Sequence, residues 1–454
     1  MALLIVSEYT LLYLGCPSPR GLNQAVCYNG CIMRIGLFTD TYRPSVNGIV
    51  YVIDITRKQL EAMGHEVYIF CPADGVRLHA VDEDDSHIIR FRSMKNAFFD
   101  DYNLSLIFPA AELRRIKKLK LDIVQFFTPS FVGLMGVYVA QKTDAVQIAQ
   151  HSTDLAHYIK HYPAVIPAII VGAGVVLPST FRFRGHDVRE LIKIYKPRRL
   201  VADWGQEVIE SLITMIYSRC DAVIALSAKS QKQLESWRGE YRYDVTVIPT
   251  GVDALPKASV SKVAKFKAKY DIAVDDEVVL YAGRLSAEKN LDILIPTIKK
   301  VLSERPKARL LYVGDFEYRA VLEQAAIDSG VSDRITFTGS LPRSYLGVVY
   351  ASASLFVFPS LTDTQGLVVH EAAHAGLPFV ILDKYVTEVV RDGENGFVAR
   401  NNAKSMAEAI VKILSDDKLR QRFGEESKRL ASQYSELTQT KKLEQLYIEA
   451  IEKD

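Results

Sequence analysis

Asp363 and Glu371 stand eight positions apart in the segment Pro359-Ser360-Leu361-Thr362-Asp363-Thr364-Gln365-Gly366-Leu367-Val368-Val369-His370-Glu371. The apolar run 354–358 before it reads as a strand, so Asp363 falls in a loop and Glu371 about one turn into the next helix. Gly366 opens that helix, where free backbone N–H groups favour a phosphate, and the two acids can accept hydrogen bonds from hydroxyls of a sugar and a ribose. A second loop follows the run 277–282 and carries Gly283 and Arg284, with Lys289 five residues after the arginine. Two cations at the carboxyl end of a strand can neutralise a diphosphate without a metal. The third loop runs from Thr39 to Gly48 and contains Tyr42 and Asn47; Gly48 lets backbone N–H groups come close to an anion. It lacks GxGxxG, so no dinucleotide fingerprint is present.

One motif competes with this reading. His370-Glu371-Ala372-Ala373-His374 spells HExxH, a zinc-protease signature. Gly376 and Pro378 end the helix directly after it and no third ligand is evident, so no metal site is expected here. Asp82-Glu83-Asp84 lies in a polar loop before a strand and reads as a solvated charge run. Five cysteines give no disulfide framework and no zinc spacing: Cys71 and Cys220 sit in apolar contexts, while Cys16, Cys27 and Cys31 crowd into the first 32 residues.

The elements that must hold these loops alternate along the chain. Strand patterns at 34–38, 66–70, 87–91, 122–126, 145–149, 222–226 and 245–249 form one series. Those at 277–282, 309–313, 334–338, 354–358, 378–382 and 396–399 form a second. Most are apolar on both faces, as strands buried between helix layers are, and helical spacing separates them. The predicted architecture is α/β: two Rossmann-like, doubly wound parallel sheets facing a cleft, with ligands outside the carboxyl ends of the strands. Residues 33–250 form the N-terminal domain, with an insertion near 159–200. Residues 251–454 form the C-terminal domain, whose last helix is a candidate to pack back on the first. The length of 454 residues suits two such domains, and 56 Lys+Arg against 54 Asp+Glu, a net charge of +2, argues against a dedicated nucleic-acid binder. Residues 1–32 carry no periodic pattern and are read as a disordered or mis-assigned extension before Met33.

Taken together, these residues resemble the family 4 glycosyltransferases, retaining enzymes of the GT-B fold. The family's Glu-x7-Glu motif matches Asp363 and Glu371, with Asp in the first place, and its Gly-Arg-x4-Lys clamp matches Gly283, Arg284 and Lys289. Gly314-Asp315 and Phe337-x-Gly339-Ser340-Leu341 match loops that flank the nucleotide base and ribose in the family. Asp383-Lys384-Tyr385 stands where the family often has a Gly-rich turn. The resemblance implies a nucleotide-diphosphate sugar as donor substrate, no cofactor and no metal. It assigns donor binding to Gly48, Gly283, Arg284, Lys289, Gly314, Ser340, Leu341, Asp363, Thr364, Gln365, Gly366, Leu367 and Glu371. It gives catalytic roles to Asp363, Arg284, Lys289 and His151, the last matching the family's "His-Thr" after the fifth strand and positioning the sugar rather than acting as a general base.

For the acceptor, residues 160–199 hold eight basic residues against two acidic ones, around the almost wholly apolar stretch 164–177. That stretch is too short to span a bilayer but can lie in its interface, and the basic residues suit an anionic membrane surface. Arg114, Arg115, Lys117, Lys118 and Lys120 form a second basic segment. The expected partners are therefore a lipid acceptor, contacted through Tyr42, Asn47, Arg182, Arg184, Arg198 and Arg199, and the cytoplasmic face of the plasma membrane. The loop starting at Asp40 and the Asp363-Thr364-Gln365-Gly366 segment look most like bacterial diacylglycerol glucosyltransferases using UDP-glucose. Mannosyltransferases that use GDP-mannose on phosphatidylinositol-type acceptors are the alternative, and nucleotide-sugar epimerases share the fold. The sequence leaves the oligomeric state open.

Overall fold

The structure is a computed structural model that describes residues 32–45, 47–73, 80–82, 85–95, 103–105, 110–154, 185, 187–188 and 201–453. The stretch 1–31, most of 155–200, and with it Arg182, Arg184, Arg198 and Arg199, lie outside the described residues.

In the first half, β1 (Arg34–Phe38), β2 (Glu66–Pro72), β3 (Ala80–Asp82), β4 (Asp85–Phe91), β7 (Ile123–Phe126), β8 (Val146–His151), β9 (Ala222–Ala225) and β10 (Val245–Val247) make one sheet. Its order is β10-β9-β8-β7-β1-β2-β4-β3, parallel except for β3, which runs antiparallel on the edge. Two short strands, β5 (Ser93–Lys95) and β6 (Asn103–Ser105), pair separately. Sequence patterning misses β3, β5 and β6 because Ala-Val-Asp, Ser-Met-Lys and Asn-Leu-Ser offer no apolar or β-branched run to read. In the second half, β11 (Glu277–Ala282), β12 (Ala308–Val313), β13 (Ile335–Phe337), β14 (Leu355–Phe358), β15 (Phe379–Ile381) and β16 (Gly396–Val398) follow the order β13-β12-β11-β14-β15-β16. Both sheets are doubly wound, and their order reverses between β1 and β7 and between β11 and β14.

Apolar residues on both faces of each strand account for the layers. On β2, Val67, Ile69 and Cys71 enter one core of the first sheet while Tyr68 and Phe70 enter the other. Phe38 stacks on Phe70 at 4.3 Å between ring centroids. The helix Ala110–Leu119 buries Ile116 against this second core and exposes Arg114, Arg115, Lys117 and Lys118, an ordinary amphipathic surface helix.

The last helix, Glu436–Lys453, leaves its own sheet and covers the first one. Leu443, Tyr447 and Ala450 pack with Ile35, Leu37, Val67 and Ile148 in one core. The buried Tyr447 hydroxyl donates to Gln125 Oε1, and Glu444 lies 2.9 Å from His65 Nε2. By packing, this helix belongs to the first domain although it ends the chain.

Candidate functional site

The strand order brings three loops to the reversal points. After β11, Ala287–Lys289 forms one tight turn and Asn290 takes a left-handed conformation (φ 56°). That turn aims Lys289 at the loop after β14, where its Nζ meets Asp363 Oδ1 at 2.6 Å. Two further bonds tie the loops together: Asn290 Nδ2 donates to the Pro359 carbonyl at 3.2 Å, and Thr362 Oγ1 to the Glu288 carbonyl at 3.0 Å. Burial pushes the Asp363 carboxyl up, but the Lys289 ammonium, with help from Ser360 and Lys229, outweighs it and holds the acid below its usual range. Asp363 Oδ2 is buried without a hydrogen-bond partner among the described residues. Arg284 is half exposed; its guanidinium lies 3.7 Å from Glu288 Oε1 and 5.3 Å from the Phe316 ring centroid.

Gly366 supplies no side chain to cap the helix Leu367–Ala375, so the helix start stays available to an anion. Across the cleft, a Cβ on Gly48 would meet Leu367 Cδ1 at 3.7 Å, so the helix Gly48–Ala62 begins directly opposite. Behind the clamp, Gly283 and Gly314 have φ of 148° and 142°, and a Cβ on Gly314 would sit 1.9 Å from the Gly283 carbonyl oxygen. Glycine is needed there for both conformation and contact. Gly314 N–H donates to the Gly339 carbonyl at 3.1 Å, which places Ser340, exposed, and Leu341, half-buried, beside that loop. Glu371 is buried; its Oε2 accepts from the Tyr350 hydroxyl at 2.8 Å and its Oε1 from Arg343.

Several expected contacts go elsewhere. Gln365 accepts from Thr250 N–H at 2.9 Å and donates to the Thr250 carbonyl at 3.0 Å, so its amide is spent on the segment joining the domains rather than on a donor. The Thr364 hydroxyl donates to the Ser152 carbonyl at 3.0 Å and likewise bridges the halves. Asn47 caps its helix, accepting from Ile49 and Val50 N–H, and donates to Thr41 Oγ1 at 3.0 Å. The Tyr42 hydroxyl donates to Asp54 at 2.9 Å, and burial pushes this phenol up. Tyr42 and Asn47 therefore shape the loop, and their polar atoms serve it rather than an acceptor. His151 is buried with Nδ1 3.1 Å from the Tyr217 hydroxyl and its ring edge-on to Trp237; burial lowers it to about 4, so it is neutral at pH 7. The HExxH histidines separate: His370 is buried and pushed down to about 3, its Nε2 3.2 Å from the Thr387 hydroxyl. His374 Nε2 instead donates to the Val252 carbonyl at 2.7 Å.

Sequence reasoning gave no role to Asp40 and missed Tyr350 and Arg343. Asp40, buried and raised to about 6 by that burial, accepts from Thr128 Oγ1 and Val132 N–H, both at 2.8 Å, and so fixes the first loop. Tyr350 and Arg343 reach Glu371 from 21 and 28 positions away, a separation with no local signal.

The family model described as Glycosyltransferase Family 4 matches residues 46–254, and that described as Glycosyl transferases group 1 matches residues 262–430. The alpha-monoglucosyldiacylglycerol synthase of Acholeplasma laidlawii is 24% identical over 429 residues, 93% of this chain and 98% of that one. Its namesake from Streptococcus pneumoniae is 27% identical over 366 residues, 79% and 74% of the two chains. Among solved structures, Anabaena HepE in complex with UDP-glucose superposes with a TM-score of 0.63 at 18% identity, covering 91% of this chain and 99% of that one. One family model on each sheet, a matching two-domain architecture and relatives that span the chain make this protein a family 4 glycosyltransferase of the GT-B fold.

Proposed function

We propose that the chain is a retaining glucosyltransferase that moves glucose from UDP-glucose to the hydroxyl of a diacylglycerol at the cytoplasmic membrane face. The observation that carries this reading is the joined pair of loops that sets Lys289 against Asp363 beside an uncapped helix start, with a second helix start opposite. Cations and backbone N–H groups gathered there stabilise charge on a leaving diphosphate. Arg284 and Lys289 take that role, and Asp363 Oδ2 has lone pairs left for a sugar hydroxyl. Glu371 takes ribose hydroxyls, with the backbone near Gly314, Ser340 and Leu341 around the base. His151, neutral at pH 7, lines the sugar without exchanging protons there.

In the reaction, the bond from the sugar C1 to the diphosphate oxygen breaks and the acceptor hydroxyl oxygen bonds to C1 from the same face. The acceptor's proton passes to a donor phosphate oxygen. The contacts of Thr364 with Ser152 and of Lys229 with Asp383 (3.2 Å) bring the halves together over this chemistry, which keeps water out. The lipid acceptor draws support from the two relatives named above and from the basic, apolar stretch 159–200.

The test is a donor screen on the full chain with diacylglycerol vesicles. UDP release and a glucosylated lipid with the α linkage are expected with UDP-glucose, and little release without lipid. A mannosylated lipid from GDP-mannose alone would overturn the donor, and transfer to a soluble sugar alone would overturn the acceptor.

A further inference from the structure

We propose that Arg343 is a positioning residue: it neutralises and aims Glu371 for the ribose of the donor nucleotide, and through Tyr51 it ties that carboxylate to the opposite domain. The inference rests on the assignment of Glu371 to the ribose made above. Glu371 is 3% exposed, and a carboxylate at that depth needs a cation and hydrogen-bond donors. Among the described residues its ion pair comes from Arg343, whose Nη1 donates to Oε1. Tyr350 supplies the donor to Oε2, and burial pushes its phenol well up, so it keeps its proton. Each carboxylate oxygen retains a lone pair, and these two are left for two adjacent hydroxyls.

The same guanidinium leads to the other half of the molecule. Its central carbon lies 3.9 Å from the ring centroid of Tyr51 on the helix Gly48–Ala62. Arg343 begins the helix Arg343–Ala351 in the second domain, so this stack crosses the cleft. Tyr51 is itself held from the last helix, its hydroxyl 3.4 Å from Glu436 Oε1. A planar guanidinium can stack on a ring and donate in its own plane at once, which an ammonium cannot do. Parting the domains would remove the ring from Arg343 and leave the arginine free to swing from Glu371. Nucleotide binding and closure therefore favour each other, because both need Arg343 in one place.

Binding of UDP and of 2′,3′-dideoxy-UDP to the full chain, measured by calorimetry, tests this. The wild type is expected to hold UDP about tenfold more tightly than the dideoxy form, the effect of losing hydrogen bonds to a charged group. In Arg343→Gln the UDP affinity should fall to the dideoxy level while dideoxy binding stays put; Arg343→Lys should recover part of the difference. Tyr51→Leu should weaken UDP about threefold and raise the donor KM with kcat little changed, whereas Tyr51→Phe, which keeps the ring, should match the wild type. If the wild type does not distinguish the two nucleotides, the ribose assignment itself fails. If it does, and Arg343→Gln distinguishes them equally well, the ribose assignment stands and the role of Arg343 is overturned. Equal loss of both nucleotides in Arg343→Gln would likewise overturn it, and an Arg343→Gln chain that does not fold leaves the decision to Arg343→Lys and Tyr51→Leu.

Discussion

Lys289 is shared between two partners in the proposed reaction, Asp363 and the donor diphosphate. The ion pair at 2.6 Å fixes the ammonium where a phosphate would arrive, so binding needs little rearrangement of the lysine. Arg284, half exposed beside Glu288 and Phe316, stands on the same loop. Replacing either cation by Ala should cost about 2–4 kcal/mol of transition-state stabilisation, read from kcat/KM for the donor. Lys289→Ala carries a second effect, since it leaves the Asp363 carboxylate enclosed without its main counter-charge and should also lower the melting temperature at pH 7. Chelation with EDTA should leave turnover unchanged in the wild type. Near-normal kcat/KM in both variants would remove the clamp, and loss of activity on chelation that zinc or magnesium restores would introduce a metal. At this scale the spacing of Gly283, Arg284, Lys289, Asp363, Gly366 and Glu371 was legible in the chain, because each lies within one strand-loop-helix unit. The partners Tyr350 and Arg343 were not, since they arrive from another helix.

Two elements decide how the halves meet. The helix Glu436–Lys453 completes the core of the first domain from the far end of the chain, burying Leu443 and Tyr447. Tyr447→Phe should cost about 1–2 kcal/mol by leaving Gln125 Oε1 without its donor, and Leu443→Ala about 2–3 kcal/mol by opening a cavity, both read from urea midpoints. A variant of unchanged midpoint would show the helix to be held loosely. The second element is the loop 383–392, where Glu388 accepts from Ala228 N–H at 3.3 Å at the start of the helix Ala228–Trp237. Burial raises Glu388 from 4.5 to about 7. The folded state thus holds this proton more tightly than the unfolded one, so the stabilisation is full below pH 4.5 and is lost as pH rises through about 7. Glu388→Gln should accordingly be more stable than the wild type by roughly 3 kcal/mol at pH 8 and should converge with it in acid, as followed by thermal melts. Equal stability at pH 8 would mean that the carboxylate is ionised there at no cost. Strand and helix order was readable from apolar patterning, yet the same patterning does not say that the last helix covers the first sheet. An amphipathic face records that it is buried, not against what.

At the scale of the whole molecule, no helix among the described residues is long and apolar enough to cross a membrane. The proposed lipid acceptor would be met through charged surface segments. The exposed face of Ala110–Leu119 presents Arg114, Arg115, Lys117 and Lys118, and Arg182, Arg184, Arg198 and Arg199 add further positive charge in sequence. Binding to anionic vesicles should weaken as the Debye length falls from about 10 Å at 0.1 M salt to about 3 Å at 1 M. Replacing Arg182, Arg184, Arg198 and Arg199 by Gln should weaken vesicle binding and flatten that salt dependence, while hydrolysis of donor in solution stays near the wild-type rate. A wild type that ignores vesicles in co-sedimentation would end the lipid reading and leave the glycosyltransferase intact.

Local order determined the strands, the two doubly wound halves and the chemistry of their loops, because side-chain period and loop residue types are properties of short segments. Tertiary structure decided which candidates are free to meet a ligand. Gln365, Asn47 and Tyr42 carry suitable polar groups, but Thr250, the helix start and Asp54 have already claimed them. The HExxH spacing is real along the chain, yet His370 and His374 are drawn to Thr387 and to the Val252 carbonyl. A buried polar atom pairs with whatever the packed fold brings within about 3 Å, however far away it lies in sequence, and one left over, as Asp363 Oδ2 is among the described residues, is decided by the same packing.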